Sequence, residues 1–512
     1  MRRSALRKCW LLWWLVAPVV VAPRVAAQQS EWATLPLIGS EQDERQRLGL
    51  LRGDTAGAGL LRAPSRSLPW RPDTAGVVAR YLLPEVRLVG NSALPLSLND
   101  GPLHAGRGVN ALVTAGIVVE AAKVRLVLAP QFVVEQNLPF QVIQFPQRPD
   151  LPRSVWANPF HPPPESIDLP LRFGDDSRLR LDAGQSSLTV RLGGAEVGVA
   201  TENLWWGPGI RNAIILSNNA GGFRHLLART REPLPTRLGP VDVDLVLGRL
   251  DESGFFDADG SNDSRSVAGG ALVWRPAGTT GLRLGAARLR IGGPAGHDQM
   301  SSLFGQWVFP SGGFEMYGEW ARFADPTSLR DFLEFPNHSQ GYTLGLQWAR
   351  PLTRERTVRL QTEVSYLEPS ASFRVRPVMT SYTSQQVPQG FTQRGEVLGA
   401  AIGPGSSSQW LAGDLFSPAW RVGVFAGRVR YDNGVLYEPI VPVFKLQDVS
   451  ILGGVRASRE YRGVRVLVEF TDTARLNYLY QAYLDDPIAT TSRGIDIANR
   501  TLSVTFSTAP GH

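Results

Sequence analysis

From about residue 81 the chain alternates apolar and polar residues with a period of two, run after run, almost to its end. That period belongs to β-strands, because successive side chains on a strand point to opposite faces. Thr357 to Leu367 shows it most clearly. Val358, Leu360, Thr362, Val364 and Tyr366 share one face, and Arg359, Gln361, Glu363 and Ser365 share the other. Gly341 to Trp348 repeats the pattern, with Tyr342, Leu344, Leu346 and Trp348 opposite Thr343, Gly345 and Gln347. Val464, Val466, Val468 and Phe470 oppose Arg465 and Glu469. Turn residues separate the runs, at Pro310 to Gly313, Asp259-Gly260 and Gly403 to Gly405. Asp432-Asn433-Gly434, between Val429–Tyr431 and Val435–Tyr437, reads as a hairpin turn.

Two architectures use many antiparallel alternating strands: a soluble sandwich and a transmembrane barrel. The repeat continues over about 420 residues without a change of composition, longer than a sandwich domain. Aromatics stand at strand ends (Trp307, Phe309, Trp348, Tyr366, Trp410, Trp420, Tyr478, Tyr480), where interfacial girdles belong. The polar faces carry both Arg and acids, as a lumen does. The expected fold is therefore all-β: a transmembrane antiparallel barrel of about 18 strands, with an even count between roughly 16 and 20. Arg500 to Phe506 alternates and ends in an aromatic, as last strands read by the barrel assembly machinery do, although Ser507 to His512 follow.

Residues 1–27 read as a secretory signal, with Arg2, Arg3, Arg7 and Lys8 before an apolar stretch and Val25-Ala26-Ala27 before the cleavage point. Cys9, the sole cysteine, lies in that signal, so no disulfide framework is available. Residues 28–80 form a distinct periplasmic or plug segment, and residues 81–512 the barrel. In the plug segment, Ser40 to Leu51 predicts a short helix, with Ser40 as cap and Glu41, Asp43 and Glu44 in the first turn. Residues 53–76 read as irregular chain. The formal charge of +7 does not indicate nucleic acid. Lysine occurs only at Lys8, Lys123 and Lys445, and the arginines that make up nearly all 53 basic residues are scattered rather than gathered on one block.

Glu202 to Phe223, ENLWWGPGIRNAIILSNNAGGF, is the most unusual segment. Its own residues say turn, a short strand from Ala213 to Leu216, then a tight turn at Ser217-Asn218-Asn219. The segment also resembles the signature of the capsule assembly Wzi family, whose members carry WWGPG followed by a strand and SNNA. Arg237 to Glu252 and the Asn91 to Asn110 region resemble the family's neighbouring segments. The resemblance runs, with gaps, over most of residues 80–506. It implies an outer-membrane barrel of about 18 strands with a helical N-terminal plug, binding and tethering surface polysaccharide as a non-catalytic lectin. Only one helix is evident in residues 28–80, fewer than that plug implies.

Candidate ligand contacts follow from side-chain chemistry. Trp205 and Trp206 either stack on sugar rings or anchor a loop against the wall. Glu202, Arg211, Asn218 and Asn219, and also Arg107 and Asn110, either hydrogen-bond a glycan or complete an internal lumen network. The arginine excess favours an acidic glycan, through bidentate contacts to carboxylates. The expected partners are this polysaccharide, outer-membrane lipid and, during biogenesis, the assembly machinery; the expected state is a monomer. The alternative is a porin-type diffusion channel. No metal or cofactor is expected, since no histidine stands in a metal-binding spacing and no phosphate-cradling loop opens a helix. A hydrolase would have to use Ser217 and Asn219 with His225, without an oxyanion signature. Glu315 and Glu319 share a strand face, as a glycosidase pair could.

Overall fold

A strand with one apolar and one polar face must cover both faces and leave no free edge in lipid. The computed structural model meets this demand by closing the sheet on itself. It describes residues 32–53, 59–70, 76–142, 156–161, 165–377, 379–437, 446–481 and 494–508. The expected signal, residues 1–27, lies outside the described residues.

Eighteen strands make the wall. The first six are β1 (Val77–Asn91), β2 (Gly108–Ala121), β3 (Val124–Leu128 continuing as Gln131–Glu135), β4 (Arg178–Asp182 continuing as Ser187–Leu192), β5 (Ala195–Ala200) and β6 (Arg224–Thr230). Then come β7 (Val241–Asp251), β8 (Ser264–Trp274), β9 (Leu282–Gly293), β10 (Gly296–Phe309), β11 (Phe314–Arg322) and β12 (Gln340–Pro351). The last six are β13 (Thr357–Tyr366), β14 (Ser407–Phe416), β15 (Trp420–Arg430), β16 (Val449–Tyr461), β17 (Val464–Leu476) and β18 (Ile497–Thr508). Each pairs antiparallel with the next, and β18 returns to β1 through Phe506↔Val86 to Thr501↔Asn91, so the ring is closed. Both β3 and β4 are interrupted midway, at Ala129-Pro130 and Ala183 to Ser186. There Gly184 has φ +60°, and a Cβ would stand 2.5 Å from the Ala129 carbonyl oxygen. The barrel begins at Val77, four residues before the sequence reading placed it.

The two faces follow the alternation. On β13, Leu360 and Val364 point outward, while Arg359, Gln361, Glu363 and Ser365 are buried inside. Leu181, at 73% exposure, and Leu411, at 61%, show what the outer wall offers: apolar side chains with nothing but lipid to cover them. Short turns join strands at one end, at Gly193-Gly194, Ser417 to Ala419 and Arg462-Gly463. Nearly all connections at the other end are long, which makes it the extracellular end. Trp307, Trp348 and Trp420 face outward near the short turns, and Tyr342 stacks on Tyr366 at the far end with centroids 5.4 Å apart. Trp410, Tyr478 and Tyr480 are corrections to the expected girdle. Trp410 points into the lumen, and the two tyrosines are buried in the connection between β17 and β18.

The hairpin expected at Asp432 to Gly434 does not form. Gly434–Tyr437 is a helical turn, and the strand after β15 starts only at Val449. The reason is tertiary. Asp432 pairs with His161, Asn433 donates to Glu368, and Val435 is buried among Leu94, Phe160 and Tyr480.

Inside the ring lies the N-terminal segment. Helix α1 (Glu41–Leu51) is capped by Ser40, whose hydroxyl accepts the Asp43 amide. Leu48 and Leu51 pack on Val308, Ala349 and Phe416, close to the short turns. Leu60, Leu61 and Ala63, read from sequence as irregular chain, enter the main core inside the barrel. Trp32–Ala33 adds in parallel to β1 at Tyr81 and Leu82, beyond the stretch that β18 covers.

Candidate functional site

The lumen is occupied by the connection between β5 and β6, which is the WWGPG…SNNA segment. The expected strand Ala213–Leu216 is absent; only an isolated bridge joins Leu216 to Trp206. Trp205–Trp206 instead pairs antiparallel with Leu61–Arg62 of the N-terminal segment. The Gly207 amide donates to the Leu60 carbonyl at 2.9 Å. Gly207 has φ +118°, and a Cβ there would meet a Glu319 carboxylate oxygen at 2.9 Å, so the motif needs glycine at this point.

Two carboxylates on the barrel wall hold the segment. Glu363 of β13 accepts the amides of Ile210 at 2.6 Å, Arg211 at 3.2 Å and Asn212 at 2.9 Å. It also accepts the Tyr317 hydroxyl at 2.8 Å. Glu319 of β11 accepts the Ile214 amide at 3.0 Å. These buried amides need acceptors, which the turn of backbone does not supply, so the carboxylates set the depth of insertion. Ile214, Ile215 and Leu216 then bury their side chains in the main core, and Ala213 packs with Ile38 and Trp205.

Each expected contact residue has a definite place. Glu202 accepts the Ser65 amide at 2.8 Å and hydroxyl at 2.7 Å, and the Arg229 guanidinium at 3.2 Å. Trp206 is wholly buried with Leu61, Ile215 and Leu289. Asn219 donates to the Val397 carbonyl at 2.9 Å, and Asn110 to that of Gly106 at 2.7 Å. Asn218 donates to the Asn99 carbonyl at 3.0 Å. Arg107 is half-buried near the extracellular mouth and donates to the Ser92 and Pro139 carbonyls. Arg211 lies over the Trp410 ring, 3.9 Å from its centroid. Trp205, Arg211 and Asn218 border a lumen cavity of about 230 Å³. Of the eight residues, those three meet at one space, Arg107 is at the mouth, and the other four are buried in internal contacts, Glu202, Trp206 and Asn219 within the inserted segment and Asn110 on β2.

The hydrolase and glycosidase groupings are not assembled. The Ser217 hydroxyl donates to the Gly399 carbonyl at 2.5 Å, and His225 Nδ1 stands 2.8 Å from the Phe223 carbonyl. Glu315 is taken by Arg47, Gln306 and Gln347, and Glu319 by the inserted backbone.

A cluster absent from the sequence reading sits beside the cavity. Asp414 receives Arg359 at 2.7 Å, Arg421 at 2.9 Å and Arg456 at 2.8 Å. Glu44 of α1 receives Arg359 at 2.6 Å and Arg421 at 2.9 Å, tying the helix to the wall. Alternation had placed Arg359 on the polar face of its strand, while Arg421 and Arg456 were not singled out. Nothing local in sequence shows that they converge.

A pH-sensitive contact lies at the mouth. Burial pushes the Glu252 carboxyl, just past β7, up to about 7, and Gln389 Nε2 donates to it at 2.5 Å. A carboxyl raised in the fold contributes stability below its ordinary pKa, and that contribution is lost as pH rises through about 7. Acidification from about 8 to about 6 should therefore raise the protection factors of residues 252–262, measured after correction for the intrinsic base-catalysed exchange rate. Glu252→Gln should remove that change in protection. Protection factors that do not change in the parent protein would refute the link.

Residues 86–324 match the family model of capsule assembly protein Wzi. The barrel as a whole is similar to the solved structure of Wzi from Escherichia coli, described as an outer membrane protein involved in group 1 capsule assembly and a carbohydrate binding beta-barrel. Identity is 13%, with 93% of this chain and 90% of that chain covered, at a TM-score of 0.57. OccK2 (OpdF) of Pseudomonas aeruginosa is 12% identical over 86% of this chain and all of its own, with a TM-score of 0.43. No curated protein sequence matches the chain. The matched segment runs from within β1 to just past β11 and includes the whole inserted motif. The fold is a closed, 18-stranded antiparallel β-barrel, as alternation and motif together led one to expect.

Proposed function

We propose that this barrel binds and anchors surface polysaccharide without catalysis. The observation that carries this reading is the lumen closed by the WWGPG…SNNA segment, locked by its amides onto Glu363 and Glu319. A wall of this size with a filled lumen suits a rigid mount for mouth loops better than an open pore. What is described for Wzi itself, carbohydrate binding in capsule assembly, supports the same reading for a chain that matches its family model. Arg107 at the mouth and Arg211, Trp205 and Asn218 at the cavity are the proposed contacts, with arginine favouring an acidic glycan. Glu202, Trp206, Asn110 and Asn219 hold the loops that present them. Residues 1–27 are proposed to direct export, the assembly machinery to insert the barrel, and the protein to work as a monomer in outer-membrane lipid.

The folded, detergent-extracted protein should retain acidic surface glycan of its own organism, and deletion should shed polysaccharide from the cells. Retention of none, with no shedding, would refute the reading. The non-catalytic part has its own check. Ser217→Ala and His225→Ala should change no hydrolysis of acyl esters, because each side chain is engaged with a main-chain carbonyl.

A further inference from the structure

The outer wall changes chemistry along β6 to β9. Leu226 of β6, Leu245 and Leu247 of β7, Leu272 of β8 and Leu284 of β9 are exposed on the apolar band. Beyond them on the same outward face, toward the extracellular end, come Arg224 on β6, Arg249 on β7, and Arg288 and Arg290 on β9, all exposed. Between β7 and β9, the outward positions of β8 are small: Ser266 opposite Arg249, Ala268 opposite Arg290 and Gly270 opposite Arg288. Strands two places apart in a sheet stand about 10 Å from each other, so arginines of β7 and β9 flank one shallow floor. The protein matches these charges poorly. Arg224 and Arg249 are directly opposite in register, where like charges repel. Both share Asp251, at 2.7 and 3.9 Å, and Arg394 also reaches it at 3.4 Å. Arg288 pairs with Asp325 at 2.6 Å, and Arg290 makes no ion pair among the described residues. The acids of the β7–β8 connection are engaged elsewhere. Asp257 and Asp259 accept bonds from within that connection, and Glu252 accepts one from Gln389. By contrast Arg500, outward on β18, has Asp472 directly opposite it.

We propose that this face of the barrel docks the phosphate groups of an outer-leaflet glycolipid. Guanidiniums suit the ligand, because their planar donor forks match phosphate oxygens two at a time. A lipid, rather than a soluble anion, is the occupant because the arginines rise straight out of the leucine band. One molecule can then cover the leucines with its acyl chains and meet the arginines with its headgroup. The proposal rests on the barrel lying in the outer membrane and is independent of its binding polysaccharide.

The test is native mass spectrometry of the full-length folded protein in detergent, titrated with diphosphorylated lipid A. Folding is checked by the shifted band on an unboiled gel. The parent protein should bind the lipid, and the same lipid stripped of both phosphates should bind far more weakly. Arg249→Gln combined with Arg290→Gln should weaken binding about tenfold or more. Arg500→Gln should leave it unchanged. If the double variant does not fold, Arg290→Gln alone, which breaks no ion pair, should weaken binding about fivefold. Inorganic phosphate at the lipid's concentration should not compete. Equal competition would assign the arginines to free phosphate and overturn the lipid. Undiminished binding of the stripped lipid, or undiminished binding by the folded variants, would overturn the phosphate contact. A parent protein that shows the shifted band and binds no lipid A would overturn the docking and leave the barrel standing. Retention of surface glycan should be the same in the double variant and the parent, which keeps this proposal separate from polysaccharide anchoring.

Discussion

Asp414→Ala should be the most damaging single change in the barrel wall. The folded band on unboiled gels should convert at a much lower temperature, or refolding into detergent should fail. The cause is the three guanidiniums of Arg359, Arg421 and Arg456, all buried and all donating to this one carboxylate. Without it, Glu44 still receives Arg359 and Arg421, and among the described residues no other carboxylate is hydrogen-bonded to the three. Breaking one buried ion pair and stranding its partner costs about 3–5 kcal/mol, and here three partners lose their common acceptor. Asp414→Asn keeps the shape and one acceptor oxygen, so its loss should be smaller. Glu44→Ala should undock α1 with a milder effect on the wall. Burial pushes the Glu44 carboxyl up, but Arg421, Arg359 and Arg456 outweigh burial and hold it well below the ordinary range. A depressed carboxyl contributes stability above its ordinary pKa and loses it as pH falls through the lower folded value. The helix should thus stay docked through mild acid. An Asp414→Ala barrel as heat-resistant as the parent would show that the arginines find other partners or water.

The wall was legible because β-structure writes its two faces into neighbouring residues. Val358 to Ser365 could be sorted without knowing any contact, since lipid and lumen impose opposite chemistry on adjacent positions. Ser40 as a cap was legible for the same local reason. What fills the lumen was not, because those contacts join distant parts of the chain. The Asn212 amide meets Glu363 across 151 residues, and Ser65 meets Glu202 across 137. The motif itself marked the right segment, yet its apolar run was read as a strand. Ala213 to Leu216 serves as core for a plug, where apolar residues need no pairing partner. Trp410 shows the limit of position alone: a tryptophan near a strand end suits a girdle or a lumen equally. Parity with Leu411 decides for the lumen, since Leu411 faces lipid.

Glu363→Ala should release the inserted segment from the wall and leave most of the wall intact. The carboxylate is the common acceptor for three successive amides and the Tyr317 hydroxyl. Alanine offers none of these groups a partner, and the side chain it replaces is buried, so bulk water is not at hand. Hydrogen bonds to a charged acceptor contribute about 1.5–3 kcal/mol each, and donors left unpaired inside add their desolvation. The whole effect should therefore reach several kcal/mol, on the order of two such bonds. It should fall on local opening, because Glu319 still holds Ile214 and the Trp206–Leu216 bridge is untouched. Hydrogen exchange at residues 210–212 should accelerate by orders of magnitude, while exchange in β13 itself changes little. Glu363→Gln retains a carbonyl oxygen and should lie between the two. Arg211 is carried on the released stretch, so its stacking on Trp410 should weaken with it. Exchange at 210–212 that matches the parent protein would mean that the apolar run from Ala213 to Leu216, rather than the carboxylate, sets the depth of insertion.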